Sequence, residues 1–181
     1  MAERDLSTLE YIVLGLISRA PQSGYSIISA LEAGIHRWSA SPGSIYPILK
    51  RLEKAEHITG ELEAVYETRP RKMYHLTPAG ERLLDDWLRG PISDLEVLED
   101  RDVALIKFQF AEARLTPGEI VAWLDQYEEL TDTYDTQHRL FPESDTDPLS
   151  LHPQLVHEMT MMEINMQRTW IQMARRRVLA G

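Results

Sequence analysis

Hydrophobic and polar positions alternate between two periods along the chain, and the switches mark its elements. Ser7, with Glu10 three residues later, has capping-box spacing and opens an apolar helix that runs through Ile17. A second, shorter helix is expected from Ser23 to Leu31. A third follows Ser41, which is expected to accept a hydrogen bond from the free backbone donors, with Pro42 at the first helical position where its missing N–H costs nothing. Ile45, Ile48, Leu49 and Leu52 give that helix its inward face and leave Ser44, Pro47, Lys50, Arg51 and Lys54 outside. The period then shortens to two. Residues 59–67 alternate and carry Leu62, Val65 and Tyr66, and Met73 to Leu76 supplies a return strand. Helical spacing resumes after Thr77 and Pro78 with Leu83, Leu84, Trp87 and Leu88, and Arg89, Gly90 and Pro91 end it.

The second half reads as helical. Val103, Leu105, Ile106, Phe108 and Phe110 mark a helix over 101–113, and Thr116 with Glu119 caps another that extends to about Tyr134. Residues 136–152 hold Pro142, Pro148 and several acids and are expected to form a loop. Across the final helix, expected from about Pro153 to Val178, Leu155, Met159, Met162, Met166, Thr169 and Met173 recur at alternating spacings of four and three, a heptad seam.

A capped helix followed by two strands with a basic connection is the layout of a winged helix-turn-helix, in which one helix enters the DNA major groove and a hairpin touches the flanking backbone. Ser41 and Gly43 are small enough to permit close approach, and Ser44 and Tyr46 offer hydroxyls to a base edge or phosphate. Tyr46 has an equal alternative, packing its ring on the preceding helix. Arg69, Arg71 and Lys72 surround Pro70 on the expected turn, where they could hold phosphate without reading sequence. A solvated basic hairpin is the plain alternative.

These residues resemble the PadR family of bacterial transcriptional regulators. The resemblance lies in Leu9 to Ile17, in Ser23, Gly24 and Tyr25, in Ser44 to Glu53, and in Arg71 to Gly80, in matching order and spacing. It implies a dimeric repressor that binds an inverted repeat of double-stranded DNA, with the helix holding Ser41, Gly43, Ser44, Tyr46, Pro47 and Lys50 in the groove. Ser23 and Tyr25 would contact DNA from the start of the preceding helix, and Arg69, Arg71 and Lys72 from the wing. One position departs: Glu56 stands after the recognition helix where the family usually has glycine, so the turn either strains Glu56 or takes another geometry.

Composition changes the picture mainly through charge. Of 181 residues, 43% are hydrophobic, and the net charge is −10. Residues 1–91 carry 11 basic against 12 acidic side chains, and residues 92–181 carry 8 against 17, so the acid lies mostly in the second half. Screening over about 8 to 10 Å lets a local basic surface work beside distant acid, with modest non-specific affinity for DNA. No segment approaches the roughly 20 apolar residues a membrane span requires. The N-terminus has no apolar signal core, so a cytoplasmic location is the default. With no cysteine there is no disulfide, thiol catalysis or thiolate metal site.

Enzyme motifs are absent from the sequence. His157 and Glu158 begin like a zinc-protease helix, but Met161 stands where the second histidine is needed. Gly24, Gly43 and Gly60 are isolated and form no phosphate-cradling loop. A non-enzymatic protein with no cofactor and no metal is expected.

The expected architecture is therefore mainly α with a small β-wing: a DNA-binding winged helix over 1–90 and an α-helical dimerisation and effector-sensing domain over 91–181. Leu155, Met159, Met162, Met166, Trp170 and Met173 are the candidate dimer face, covered by a partner copy or by other helices of the same chain. Trp123, Tyr127 and Trp170 are candidate walls for a small aromatic effector, or simply core. The alternatives to a repressor are a winged-helix adaptor that docks another protein and a small-molecule binder without DNA activity.

Overall fold

The computed structural model describes residues 6–33, 41–63, 70–98, 100–139 and 150–181. Among them the elements run α1 (Thr8–Arg19), β1 (Gln22–Ser23), α2 (Gly24–Glu32), α3 (Pro42–Lys54), β2 (Ile58–Glu63), β3 (Arg71–Leu76), α4 (Pro78–Arg89), α5 (Asp94–Leu98), α6 (Arg101–Ala111), α7 (Pro117–Arg139) and α8 (Leu151–Ala180). The fold is mainly α with a small antiparallel sheet, ordered β1-β3-β2.

Two compact units result. The first joins residues 1–90 to residues 102–115, so α6 belongs with the winged helix rather than with the second half, where the 90/91 division had put it. The reason is apolar contact: the Phe110 ring lies directly on Gly15 of α1, where any side chain would collide. Ile12, Val13 and Leu14 of α1 are fully buried together with Ile45 of α3 and Leu84 of α4. Tyr11 stacks on Trp87 with ring centres 4.7 Å apart, and the Lys107 ammonium of α6 lies 5.2 Å from the Trp87 ring.

Local chemistry explains most helix starts. Ser7 accepts from the Glu10 N–H, and the Glu10 carboxylate accepts from the Ser7 N–H at 2.8 Å, the reciprocal pair its spacing implies. Ser41 departs from expectation. Its hydroxyl lies 3.2 Å from that of Ser44 and makes no cap to the backbone, and the α3 start is closed by the Ser41 carbonyl, which accepts from Ser44 and Ile45. β1 was not legible in the sequence, because two residues carry no period. It exists through pairing, Gln22 opposite Tyr74 and Ser23 opposite Met73.

The second unit comprises residues 91–101 and 116–181. α7 runs to Arg139, beyond the expected end near Tyr134, and α8 begins at Leu151. The loop reading for 136–152 therefore fails at both ends, while 140–149 lie outside the described residues. α7 and α8 are antiparallel: Asp125 and Glu128 pair with Arg175, and Asp132 and Asp135 pair with Arg168. Ile120, Leu124, Tyr127 and Thr131 are the buried face of α7, and Ile164, Ile171 and Ala174 that of α8.

Candidate nucleic-acid interface

α3 presents a continuous outer face. Ser41, Gly43, Ser44, Tyr46, Pro47 and Lys50 are all exposed, while Ile45, Ile48, Leu49 and Leu52 are buried beneath them. Pro47 stands inside the helix, where it offers no N–H to the carbonyl one turn back, and its exposure keeps its ring out of the core.

Tyr46 combines its two readings. The ring lies over Gly24 at the start of α2, so close that a Cβ on Gly24 would strike it, yet the side chain remains 52% exposed. It is both packed on the preceding helix and open at its edge. Tyr25, the next residue of α2, is 76% exposed. Ser23, by contrast, is buried and its hydroxyl is committed to capping α2, accepting from the Ser26 N–H at 3.1 Å. The structure thus gives it a structural duty that the sequence did not reveal.

The α3 C-terminus turns through Glu56, whose φ is 59°, in the left-handed region. His57 N–H reaches the Leu52 carbonyl at 2.9 Å and Glu56 N–H reaches that of Glu53 at 3.0 Å. This is a Schellman closure, the geometry glycine would give, with glutamate in its place. Thr77, which follows β3, ties the end of the wing to this turn by donating to the Glu56 carbonyl.

Arg71 and Lys72 were expected on the turn, but both lie in β3. Arg69 falls outside the described residues. The register sets Glu63 directly opposite Arg71, and their side chains pair at 2.8 Å with both about half exposed. Lys72 lies on the other face of the hairpin and folds back to Glu53 of α3, with contacts of 2.6 and 2.7 Å to its two carboxylate oxygens. The hydrogen bond to Glu53 raises the Lys72 pKa, and burial opposes it without cancelling it. Tyr74 lies beneath, 5.4 Å from the ammonium, and burial pushes its hydroxyl pKa up.

Arg51, left for solvent or DNA by its spacing, is instead drawn to buried Glu10 of α1 at 3.0 Å. Burial alone would raise the Glu10 pKa. The backbone and hydroxyl hydrogen bonds from Ser7, with the Arg51 guanidinium, outweigh it and bring the carboxyl below its usual range. The pairing of Glu10 with Arg51, of Glu53 with Lys72 and of Glu63 with Arg71 is what the sequence reading missed, although Glu10 was read as a capping-box residue. Of these pairs, that of Glu63 had a signal in the sequence, its place across a hairpin from Arg71, and reading it needed the register.

In the second unit Trp123, Tyr127 and Trp170 do come together. Ring centres lie 5.5 Å apart for Trp123 and Tyr127 and 6.1 Å for Tyr127 and Trp170, with Tyr127 only 2% exposed. The rings fill the space between one another, so they act here as core. A shallow depression on α7 is lined instead by Asp125, Glu128, Glu129 and Asp132. The proposed dimer face lies open: Leu155, Met159, Met162 and Met166 are each at least half exposed, Met173 is 37% exposed and Trp170 is half-buried. No helix of the described residues is long and apolar enough to cross a membrane.

A curated relative, the negative transcriptional regulator PadR of Bacillus subtilis (strain 168), is 37% identical over 84 residues, which is 46% of this chain and 46% of that protein. The matched stretch is thus about half of that relative's length. The crystal structure of Bacillus subtilis PadR in complex with operator DNA matches over 97% of this chain and 99% of that one, at 24% identity and a TM-score of 0.47. The same protein in complex with p-coumaric acid matches over 95% and 99%, at 26% identity and a TM-score of 0.42. The profile of the Transcriptional regulator PadR-like family matches residues 13–86, which span α2, α3, the hairpin and most of α1 and α4. Residues 13–86 of this chain are accordingly a domain of the PadR-like family of transcriptional regulators.

Proposed function

We propose that this protein is a homodimeric repressor that binds an inverted-repeat operator in double-stranded DNA. The observation that carries the reading is α3, whose polar, small-residue face from Ser41 to Lys50 is fully presented beside a cation-bearing hairpin within a PadR-like domain. In this reading Ser44, Tyr46 and Lys50 meet base edges or phosphates, Tyr25 supports them from α2, and Arg71 reaches the flanking backbone after releasing Glu63. Repression is supported by the curated relative, itself a negative regulator. As a DNA-binding regulator it would act in the cytoplasm.

The dimer reading is supported by the outer face of α8. Its inner face already packs on α7, so Leu155, Met159, Met162, Met166 and Met173 form a second apolar stripe that a second copy can cover with the same stripe about a twofold axis. A small aromatic effector would have to part the Trp123, Tyr127 and Trp170 rings or bind elsewhere in the second unit. p-Coumaric acid is the first probe, read by release of bound DNA.

The test is fluorescence anisotropy of the purified protein with its own upstream promoter at two salt concentrations, against a scrambled duplex. Selective saturation at two chains per inverted repeat, retained at the higher salt, is expected. Equal weak binding to both duplexes would overturn the reading and favour an adaptor that uses the winged helix to dock protein.

A further inference from the structure

The two described wing cations are not equivalent. Strand pleating sends Arg71 and Lys72 to opposite faces of the β2–β3 hairpin, so they cannot line one track of phosphates. Among the described residues Arg71 pairs with Glu63, its neighbour on the same exposed hairpin. Lys72 instead bridges two elements, from β3 to Glu53 on α3.

Its path is cut into the backbone of β2. Gly60 lies on the same face as Lys72, and a Cβ there would run into the Lys72 side-chain carbons and crowd the Glu53 carboxylate. The strand position that weakens a β-ladder most is thus the one the lysine stem crosses. Beyond it the ammonium meets both Glu53 oxygens and stands near the face of buried Tyr74. A cation so neutralised adds little attraction for phosphate, and moving it would leave Glu53 facing the DNA from the recognition helix itself.

We propose that Lys72 is a positioning residue, which acts with Glu53 across Gly60 to fix the angle of the wing to the recognition helix, and that Arg71 carries the phosphate contact. This rests on the DNA-binding reading above. It differs from the sequence expectation, which gave Lys72 and Arg71 the same task.

The test is the salt dependence of operator binding in single variants. Arg71→Gln should lower the slope of log affinity against log salt by about 0.9 for each wing phosphate lost. Lys72→Met and Glu53→Gln should each weaken operator binding about fivefold with the slope unchanged, and the double variant should be no weaker than either. Gly60→Ala, which alters no charge, should weaken binding in the same way. The exchanged pair, Glu53→Lys with Lys72→Glu, should recover most of the affinity. A slope that falls in Lys72→Met as it does in Arg71→Gln would overturn the proposal, as would tighter binding by Glu53→Gln.

Hydrogen exchange in the free protein reads the latch independently. Amides of β2 and β3 should exchange faster in Glu53→Gln and Lys72→Met, and unchanged exchange would refute the latch. Wild-type protein that fails to prefer its operator, with exchange still accelerated in both variants, would sink the DNA-binding reading and leave the latch standing.

Discussion

Glu56 holds a conformation that costs an L-residue about 1 to 2 kcal/mol and costs glycine almost nothing. Its side chain is exposed and has no packing to lose, so Glu56→Gly is expected to stabilise the fold by about 1 kcal/mol, as urea unfolding would measure. A loss of stability would mean that the carboxylate contributes more than the strain removes. Glu10 is the opposite case, a buried charge whose surroundings favour it. Its folded pKa lies below the ordinary value of 4.5, so its contribution is complete above that value and is lost as pH falls through the folded pKa. Glu10→Gln should lower stability at neutral pH by about 1 to 3 kcal/mol and make the decline on acidification shallower, which unfolding curves from pH 7 to pH 3 would resolve. Gly24 is a third site of this kind: Gly24→Ala should push the Tyr46 ring outward and change operator preference more than stability.

At the scale of elements, helix starts and stops were legible wherever one residue type does a local job. Thr77 caps α4 and Gly90 with Pro91 ends it, as their order along the chain implies. The pairing of α7 with α8 was not legible, since it depends on charges about 50 and 36 residues apart. Arg175 reaches Asp125 and Glu128, and Arg168 reaches Asp132 and Asp135, two staples seven residues apart on both helices. They fix the register of an interface whose apolar face is narrow. Arg168→Met would leave the buried Asp135 carboxylate without its guanidinium and should cost about 2 kcal/mol, seen as an earlier thermal transition of the second unit.

For the whole molecule the decisive feature is that α8 has apolar side chains on two sides. Ile164, Ile171 and Ala174 are buried, whereas Met162 and Met166 are 66% and 57% exposed. Met162→Glu or Met166→Glu should convert the proposed dimer to a monomer in sedimentation velocity while leaving the helical circular dichroism unchanged, because both side chains are more than half exposed. Loss of helix would instead place that stripe in the interior packing. Charge also belongs to this scale: with −10 overall, long-range steering is weak, and affinity for arbitrary DNA should be low at physiological salt. Tight non-selective binding in a filter assay would contradict that account.

The sequence by itself determined the nature and order of the larger elements, the inward face of α3, and the family signature, because each is written in neighbouring residues: a cap, a period or a motif. The family resemblance also marked Glu56 as a departure and left strain or another turn geometry open, and the structure puts its φ at 59°. Only the tertiary structure decided which polar groups are available. Ser23 is consumed by a cap, Arg51 by Glu10, and Lys72 by Glu53, and the α8 seam that packs on α7 is a different one from the seam its methionines spell. The reason is that a charged or apolar side chain has no fixed role until a partner distant in the chain is brought within a few ångströms, where Coulombic attraction and exclusion of water decide between solvent, protein and ligand.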